Sequence, residues 1–205
     1  MTTDYPPEVR DLFEAYPDAT EAELRLLHDR LADSADAQGI LDVAYRTLDT
    51  PVGTLLLAAT EKGLVRVAYE TEGHDKVLAT LAARISPRIL NAPKRLDAAA
   101  REIDEYFAGL RHGFDLPLDF SLSKGFRRMV LNHLPDIAYG HTASYAAVAA
   151  AAGHPKAVRA VGTACATNPL PVVVPCHRVV RSDGSFGGYL GGPAAKQTLL
   201  RLEAA

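Results

Sequence analysis

Val172-Val173-Val174-Pro175-Cys176-His177-Arg178-Val179-Val180 is the stretch around which the chain is organised. Its valines read as buried strand, because β-branched side chains suit a pleated, covered surface. Pro175 has no N–H to give to a ladder, so the strand is expected to end there or to lie at an edge. Cys176 would then sit just past a rigid strand with an imidazole beside it. The thiolate is the nucleophilic form of cysteine, and a neighbouring imidazole can take the thiol proton. A cysteine in an apolar run is equally well a small buried hydrophobe. The pair alone leaves packing and chemistry open, and a papain-type Cys-His hydrolase is one chemistry it permits.

The 205 residues suffice for one or two small domains, and 48% of them are apolar, as expected of a globular protein. No apolar run approaches the ~20 residues needed to span a bilayer. The first residues lack the basic and apolar regions of a signal peptide, so a soluble, cytoplasmic protein is expected. Cys165 and Cys176 are the two cysteines, and free thiols are the default in a reducing compartment. The seven histidines show no metal-ligand spacing, so no metal and no cofactor is expected. The net charge of −3 argues against a polyanionic partner, but its distribution does not. Residues 1–120 carry 13 Lys+Arg and 22 Asp+Glu, a net −9, whereas residues 121–205 carry 9 and 3, a net +6. Such asymmetry suggests that the second half faces a polyanion.

Residues 1–38 read as two short acidic helices, the first with Leu12, Phe13 and Tyr16 on its apolar side. The second is capped by Thr20 with Glu23 at the capping-box position, and Leu24, Leu27, His28 and Leu31 form its inner stripe. Asp33 to Gly39 reads as a linker. Leu41–Thr47, Thr54–Ala59 and Leu64–Tyr69, with turns at Thr50–Gly53 and Glu61–Gly63, spell an antiparallel meander. Helices follow at Asp75–Ile85 and at Asp97–Leu110, the latter with Ile103, Phe107 and Leu110 on one face. Phe114–Phe120 alternates as an edge strand, given Pro117. Beyond Ser121 the chain turns helical: Gly125–Leu134, then Tyr145–Ala152, then a helix from near Lys156 through Ala166, ending at Asn168-Pro169. The last two, joined across Gly153, make a helix-turn-helix.

Pro-Cys-His-Arg between aliphatics resembles the active-site motif of the O6-alkylguanine-DNA alkyltransferases (methylated-DNA–protein-cysteine methyltransferases). The resemblance runs from about Phe126 to Glu203 and, more weakly, back to about Leu41. It implies an α+β fold: an N-terminal ribonuclease-H-like domain with a three-stranded antiparallel sheet, residues 40–120, and a mostly helical DNA-binding and catalytic domain with a short active-site strand, residues 121–205. Residues 1–39 are an acidic helical extension outside it.

By the same resemblance Cys176 is the nucleophile, His177 takes its proton through a water, and Glu203 orients the histidine. Asn168 ties the turn, and Tyr145 offers a proton to the leaving guanine. Arg159 is a finger that fills the place of an extruded base, since O6 is out of reach inside the duplex. The helix carrying it, with Ala157, Val158, Ala160, Gly162 and Thr163, would lie in the minor groove of double-stranded DNA. From the residues alone, Gly162 is as well explained by tight helix-helix packing, and a helical glycine costs ~1 kcal/mol against alanine. Val179, Gly187, Tyr189 and Leu190 are implied as walls of the guanine pocket, with Leu190 where some relatives carry Ser. Arg178 and Cys165 are expected to be structural.

The expected activity is stoichiometric, single-turnover transfer of alkyl groups from O6-alkylguanine, and from O4-alkylthymine, to Cys176. A monomer is expected, with cooperative loading on DNA left open. Relatives that only sense alkylated DNA and recruit excision repair replace the cysteine, usually with Trp; this chain has Cys176 and no Trp. A transcriptional regulator built on the same helix pair would need metal-binding cysteines that residues 1–38 lack.

Overall fold

A computed structural model of the chain describes residues 19–204. In chain order the elements are α1 (Glu21–Ala37), β1 (Val43–Leu48), β2 (Leu55–Thr60), β3 (Gly63–Tyr69), α2 (His74–Arg84), β4 (Ile89–Asn91), α3 (Asp97–Phe107), α4 (Gly125–His133), β5 (Ala143–Ser144), α5 (Tyr145–Ala151), α6 (Val158–Ala166), β6 (Val179–Val180) and α7 (Gly192–Glu203). The first helix read from the sequence lies outside the described residues.

The alternation in residues 41–69 produces the expected meander, with β1 antiparallel to β2 and β2 antiparallel to β3. A short fourth strand extends it: β4 joins the free edge of β1 in parallel, giving the order β3-β2-β1-β4. Both faces of the sheet are covered. Leu55, Leu57, Ala59 and Val67 face the main core, while Val43, Leu56, Ala58, Val65 and Ala68 pack with Val77 and Leu81 of α2. Side chains alternate between faces along a strand, so burial on both sides explains why β2 is apolar at every position but its last. The main apolar cluster continues without a break into α4, α5, α6 and α7.

Four expectations change. First, Phe114–Phe120 forms no strand. Its contact with β3 is one bridge, in which Leu64 N–H donates to Pro117 O at 2.8 Å and Asp119 N–H donates to Leu64 O at 2.8 Å. Pro117 has no N–H with which to continue the ladder. Second, α3 stops at Phe107, and Leu110 beyond it is 80% exposed. The buried face runs instead through Ala99, Ala100, Ile103 and Tyr106.

Third, α1 is a single helix into the supposed linker, started by the expected capping box between Thr20 and Glu23. Its leucines do not face inward: Leu24, Leu27 and Leu31 are each more than half exposed. The buried residues are Ala32 and Ala35. Small side chains let the helix approach closely, and polar anchors set its rotation. Asp33 pairs with Lys94 at 2.6 Å, Asp36 pairs with Arg95, and His28 Nε2 lies 2.5 Å from Asn91 O.

Fourth, Val172–Val174 is no strand but a buried turn, and Val172 has a φ of +73°. That conformation is an outlier for a β-branched residue. Cys176 therefore does not follow a strand. It opens a single 3-10 turn, Cys176–Arg178, and the strand comes after it, as β6 paired in parallel with β5.

Where β3 begins, Gly63 has a φ of +128°, and a Cβ built there would fall 2.1 Å from the carbonyl oxygen of Pro117. Gly63→Ala is expected to destabilise the fold by roughly 1–3 kcal/mol or more, from backbone strain and the clash together. A denaturant midpoint equal to that of the unaltered protein would contradict this account of the turn.

Candidate active site

Four segments meet at Cys176: the 3-10 turn itself, the turn after α6, the loop 181–191, and α7. The thiol is 2% exposed. Asn168, on the turn after α6, is fully buried and uses three bonds. Its Nδ2 donates to Val174 O at 2.8 Å and to Cys176 Sγ at 3.1 Å, and its Oδ1 accepts from Leu170 N–H at 3.0 Å. The residue thus holds the left-handed turn and touches the sulfur.

The next residue, His177, has no exposed surface. Its Nε2 lies 2.8 Å from Glu203 Oε1, and its Nδ1 is buried with no protein partner. Glu203 sits in the last turn of α7. It also accepts from Arg178 Nε at 2.8 Å, from Arg178 Nη2 at 2.9 Å and from the Tyr106 hydroxyl at 2.6 Å. Burial raises the Glu203 pKa, but these donors outweigh it and pull the carboxyl down to about 2. A carboxylate that stays ionised can only accept, so His177 carries its proton on Nε2 and keeps the Nδ1 lone pair free. Burial lowers the pKa of His177, so it rests neutral. Burial also pushes the Cys176 thiol up to about 11, against the bond from Asn168 and the charge of Lys196. At rest the thiol keeps its proton and the imidazole of the next residue is neutral, with Nδ1 unprotonated.

Lys196, on the same face of α7 as Glu203, is wholly buried and donates to Val179 O at 2.6 Å. Burial lowers its pKa, while thiolate charge at Cys176 and Cys165 would raise it. A lysine without solvent needs a counter-charge, and a Cys176 thiolate would supply one.

Tyr145 stands at the start of α5, whose helix is capped by Ser144 accepting from Ala147 N–H at 3.1 Å. A Cβ on Gly187 would fall 2.1 Å from the Tyr145 hydroxyl, so the loop can lie against this ring only as glycine. Burial raises the Tyr145 pKa, so the phenol keeps its proton. Tyr189 stands edge-on to His177, with ring centroids 6.3 Å apart. Val179 is buried, and its carbonyl is held by Lys196. Leu190 is half-buried beside Asn168 and Arg66 in a cavity of about 430 Å³.

Above the thiol, α6 buries Val161, Ala164 and Cys165 and turns Val158, Arg159, Ala160 and Thr163 outward, with Ala157 and Gly162 half-buried. A Cβ on Gly162 would meet nothing within 4 Å, so helix packing does not explain that glycine. Among the described residues Arg159 has no ion-pair partner.

Residues 43–120 match the family model described as the 6-O-methylguanine DNA methyltransferase ribonuclease-like domain, and residues 125–205 match the DNA binding domain of the same enzyme. The chain is 40% identical over 162 residues to the constitutive methylated-DNA–protein-cysteine methyltransferase of Bacillus subtilis, covering 78% of this chain and 94% of that one. It is 36% identical over 159 residues to the methyltransferase of the same name from Methanosarcina barkeri, covering 78% and 96%. The Mycobacterium tuberculosis OGT solved in complex with DNA superposes with a TM-score of 0.69 at 35% identity, covering 78% of this chain and 92% of that one. The chain belongs to the 6-O-methylguanine DNA methyltransferase family.

In this methyltransferase fold the sequence-derived residues Cys176, His177, Glu203 and Asn168 come together, and Tyr145, Gly187 and Tyr189 line one side of them. Sequence reasoning missed three residues. Tyr106 bonds Glu203 across 97 positions. Lys196 is buried, and its charge favours the Cys176 thiolate. Tyr69, on β3, bonds the Tyr189 hydroxyl at 2.9 Å. The spacing of Lys196, Leu199 and Glu203 on one face of α7 was the available signal for the lysine; the two tyrosines had none. Arg178, expected to be structural, grips Glu203 with two nitrogens and gives a third bond to Ile137 O at 2.6 Å.

The donors around Glu203 pull its carboxyl down to about 2 in the folded protein, well below the usual carboxylate range. A depressed carboxyl contributes stability above its unfolded value, and that stability is lost as pH falls through the folded value. The chain is expected to lose roughly 3 kcal/mol from this group between about pH 4.5 and pH 2. Glu203→Gln should be less stable at pH 7 and should flatten the acid limb of the stability–pH curve. An acid limb identical to that of the unaltered protein would count against the buried carboxylate.

Proposed function

We propose that the chain repairs alkylated DNA by direct reversal, moving the alkyl group of O6-alkylguanine, or of O4-alkylthymine, irreversibly onto Cys176. The observation that carries this reading is the buried Cys176 thiol, held by Asn168 and followed by a histidine whose tautomer Glu203 sets. The reading also draws on α6, an exposed helix of small residues whose Arg159 has no ion-pair partner among the described residues. In the proposed division of the chain, residues 121–205 bind DNA and do the chemistry. Residues 40–120 buttress them, and residues 1–39 are an added arm.

On this reading α6 enters the minor groove, where Ala157, Val158, Ala160, Gly162 and Thr163 allow close approach and large side chains would not fit. Arg159 fills the gap left by the extruded nucleotide. The flipped base enters between Tyr145 and the loop carrying Gly187, Tyr189 and Leu190. Affinity comes mainly from phosphate contacts by the basic half, so binding is salt-sensitive and tolerant of sequence. The working unit is a monomer.

The Cys176 proton passes through a water to His177 Nδ1, and Glu203 stabilises the imidazolium that forms. The sulfur attacks the alkyl carbon; the S–C bond forms as the C–O6 bond breaks. The electron pair goes to guanine, which is protonated from Tyr145, and the proton held by His177 returns through solvent to the Tyr145 phenolate. Overall, thiol and O6-alkylguanine become thioether and guanine. A thioether resists hydrolysis, so each chain acts once.

Incubation with duplex DNA containing O6-methylguanine is expected to add one methyl mass to the peptide carrying Cys176, and Cys176→Ser is expected to add none. Binding of the lesion without any mass gain would point instead to a sensor of damage. His177→Ala should slow transfer by about a hundredfold or more, as expected for loss of a general base.

Arg159→Ala provides a second test. Transfer from duplex DNA should fall at least tenfold, while transfer from free O6-benzylguanine, which needs no flipping, should stay within about twofold. Equal losses on both substrates would remove Arg159 from the flipping step.

A further inference from the structure

The loop 181–191 is glycine-rich and mostly exposed, yet on the proposed reading it must form one wall of a base pocket. Something has to hold it. The contact comes from the sheet half. Tyr69, the last residue of β3, is 2% exposed and its hydroxyl lies 2.9 Å from that of Tyr189. The two rings meet edge to face, with centroids 5.8 Å apart at 71°. Two residues on, Gly191 passes so close that a Cβ there would fall 2.6 Å from the Tyr69 ring. The loop is thus fitted to Tyr69 by a hydroxyl pair and by a missing side chain. Tyr189 in turn stands edge-on to His177.

The same strand grips the other side of the site. Val67 N–H donates to Pro169 O at 2.8 Å, and Arg66 Nη1 donates to Pro169 O at 3.2 Å, next to the Asn168 that bonds the sulfur. Glu72 ties this arrangement together, pairing with Arg66 and accepting from Tyr69 N–H at 3.0 Å. The end of β3 is therefore a brace between the turn that holds the thiol and the loop that faces it.

We infer that Tyr69 is a positioning residue that latches the pocket loop through Tyr189 and Gly191, and so sets the affinity for the flipped base without taking part in alkyl transfer. This rests on the function proposed above. Removing one hydroxyl leaves the ring packing in place and costs a single hydrogen bond, a modest net effect on folding. It should be felt where the loop must stay ordered to hold a base.

The test is Tyr69→Phe in the full chain, with free O6-benzylguanine and with O6-methylguanine duplex as substrates. The half-saturating concentration of each is expected to rise about three- to tenfold. The limiting rate of transfer to Cys176 should stay within twofold, and affinity for undamaged duplex should not change. Tyr189→Phe should give the same shift, and the double variant no further one, because both remove the same bond. Amide hydrogen exchange without ligand should quicken within residues 181–191 and nowhere else. Unchanged half-saturation would overturn the inference, as would equal losses of affinity and limiting rate. Unchanged loop exchange overturns the latch whatever the transfer assay gives. Failure of the unaltered protein to transfer at all overturns the repair reading instead, and the exchange data then decide the latch on their own.

Discussion

A single buried carboxylate governs the geometry of this molecule. Taking Glu203 out of water costs several kcal/mol, and the fold meets that cost with four hydrogen bonds from three side chains. Those donors sit on separate parts of the chain: His177 and Arg178 on the 3-10 turn, Tyr106 on α3 of the sheet half. Arg178 reaches onward to the carbonyl of Ile137. The last turn of α7, the active turn and the sheet half are thereby fixed relative to one another. Glu203, in the last turn of α7, becomes the point at which the halves are joined.

The same anchor explains the state of the thiol. An ionised Glu203 forces the Nε2 proton onto its own side of the imidazole and leaves Nδ1 as the base. Burial keeps both Cys176 and His177 uncharged at rest, whereas Lys196 and the Asn168 amide favour the thiolate once it forms. These opposing influences suit a reagent that must survive idle and react once. A permanently ionised thiolate would be exposed to oxidants and stray electrophiles. A thiol with no nearby donor or cation would not ionise at all.

Much of this could be read from the sequence, and the failures have physical causes. Alternating apolar residues gave the meander, because a strand's period of two survives in any context where the sheet is covered. Thr20 and Glu23 marked the start of α1, since capping depends on neighbours three residues apart. Cys176 and His177 were legible through the Pro-Cys-His-Arg motif, and Glu203 and Asn168 only through the family resemblance, since no local pattern marks either. Val172–Val174 was not: β-branched residues prefer strands, but Asn168 holds this segment in a turn, and local preference gives way to three buried hydrogen bonds. The leucines of α1 misled because the docked face was chosen by small alanines and by Asp33 and Asp36 pairing with lysine and arginine far along the chain. Tyr106 and Tyr69 act over separations of 97 and 120 residues, and no periodicity reports a contact of that kind.

The division of labour in the site follows from what each half can offer. The helical half brings a charged turn and an exposed helix of small residues, which suit close approach to a groove but cannot stiffen a glycine-rich loop. The sheet has rigid backbone and covered faces, and the end of β3 touches both the Asn168 turn and the pocket loop. A base that has left its stack has lost stacking and pairing, so the pocket must already be formed if the exchange is to be favourable. Preorganisation of that pocket cannot come from the loop's own composition. It comes from a strand across the core, and the sheet half is in this sense part of the active site although, among the described residues, the hydrogen bond to the sulfur comes from Asn168 in the other half.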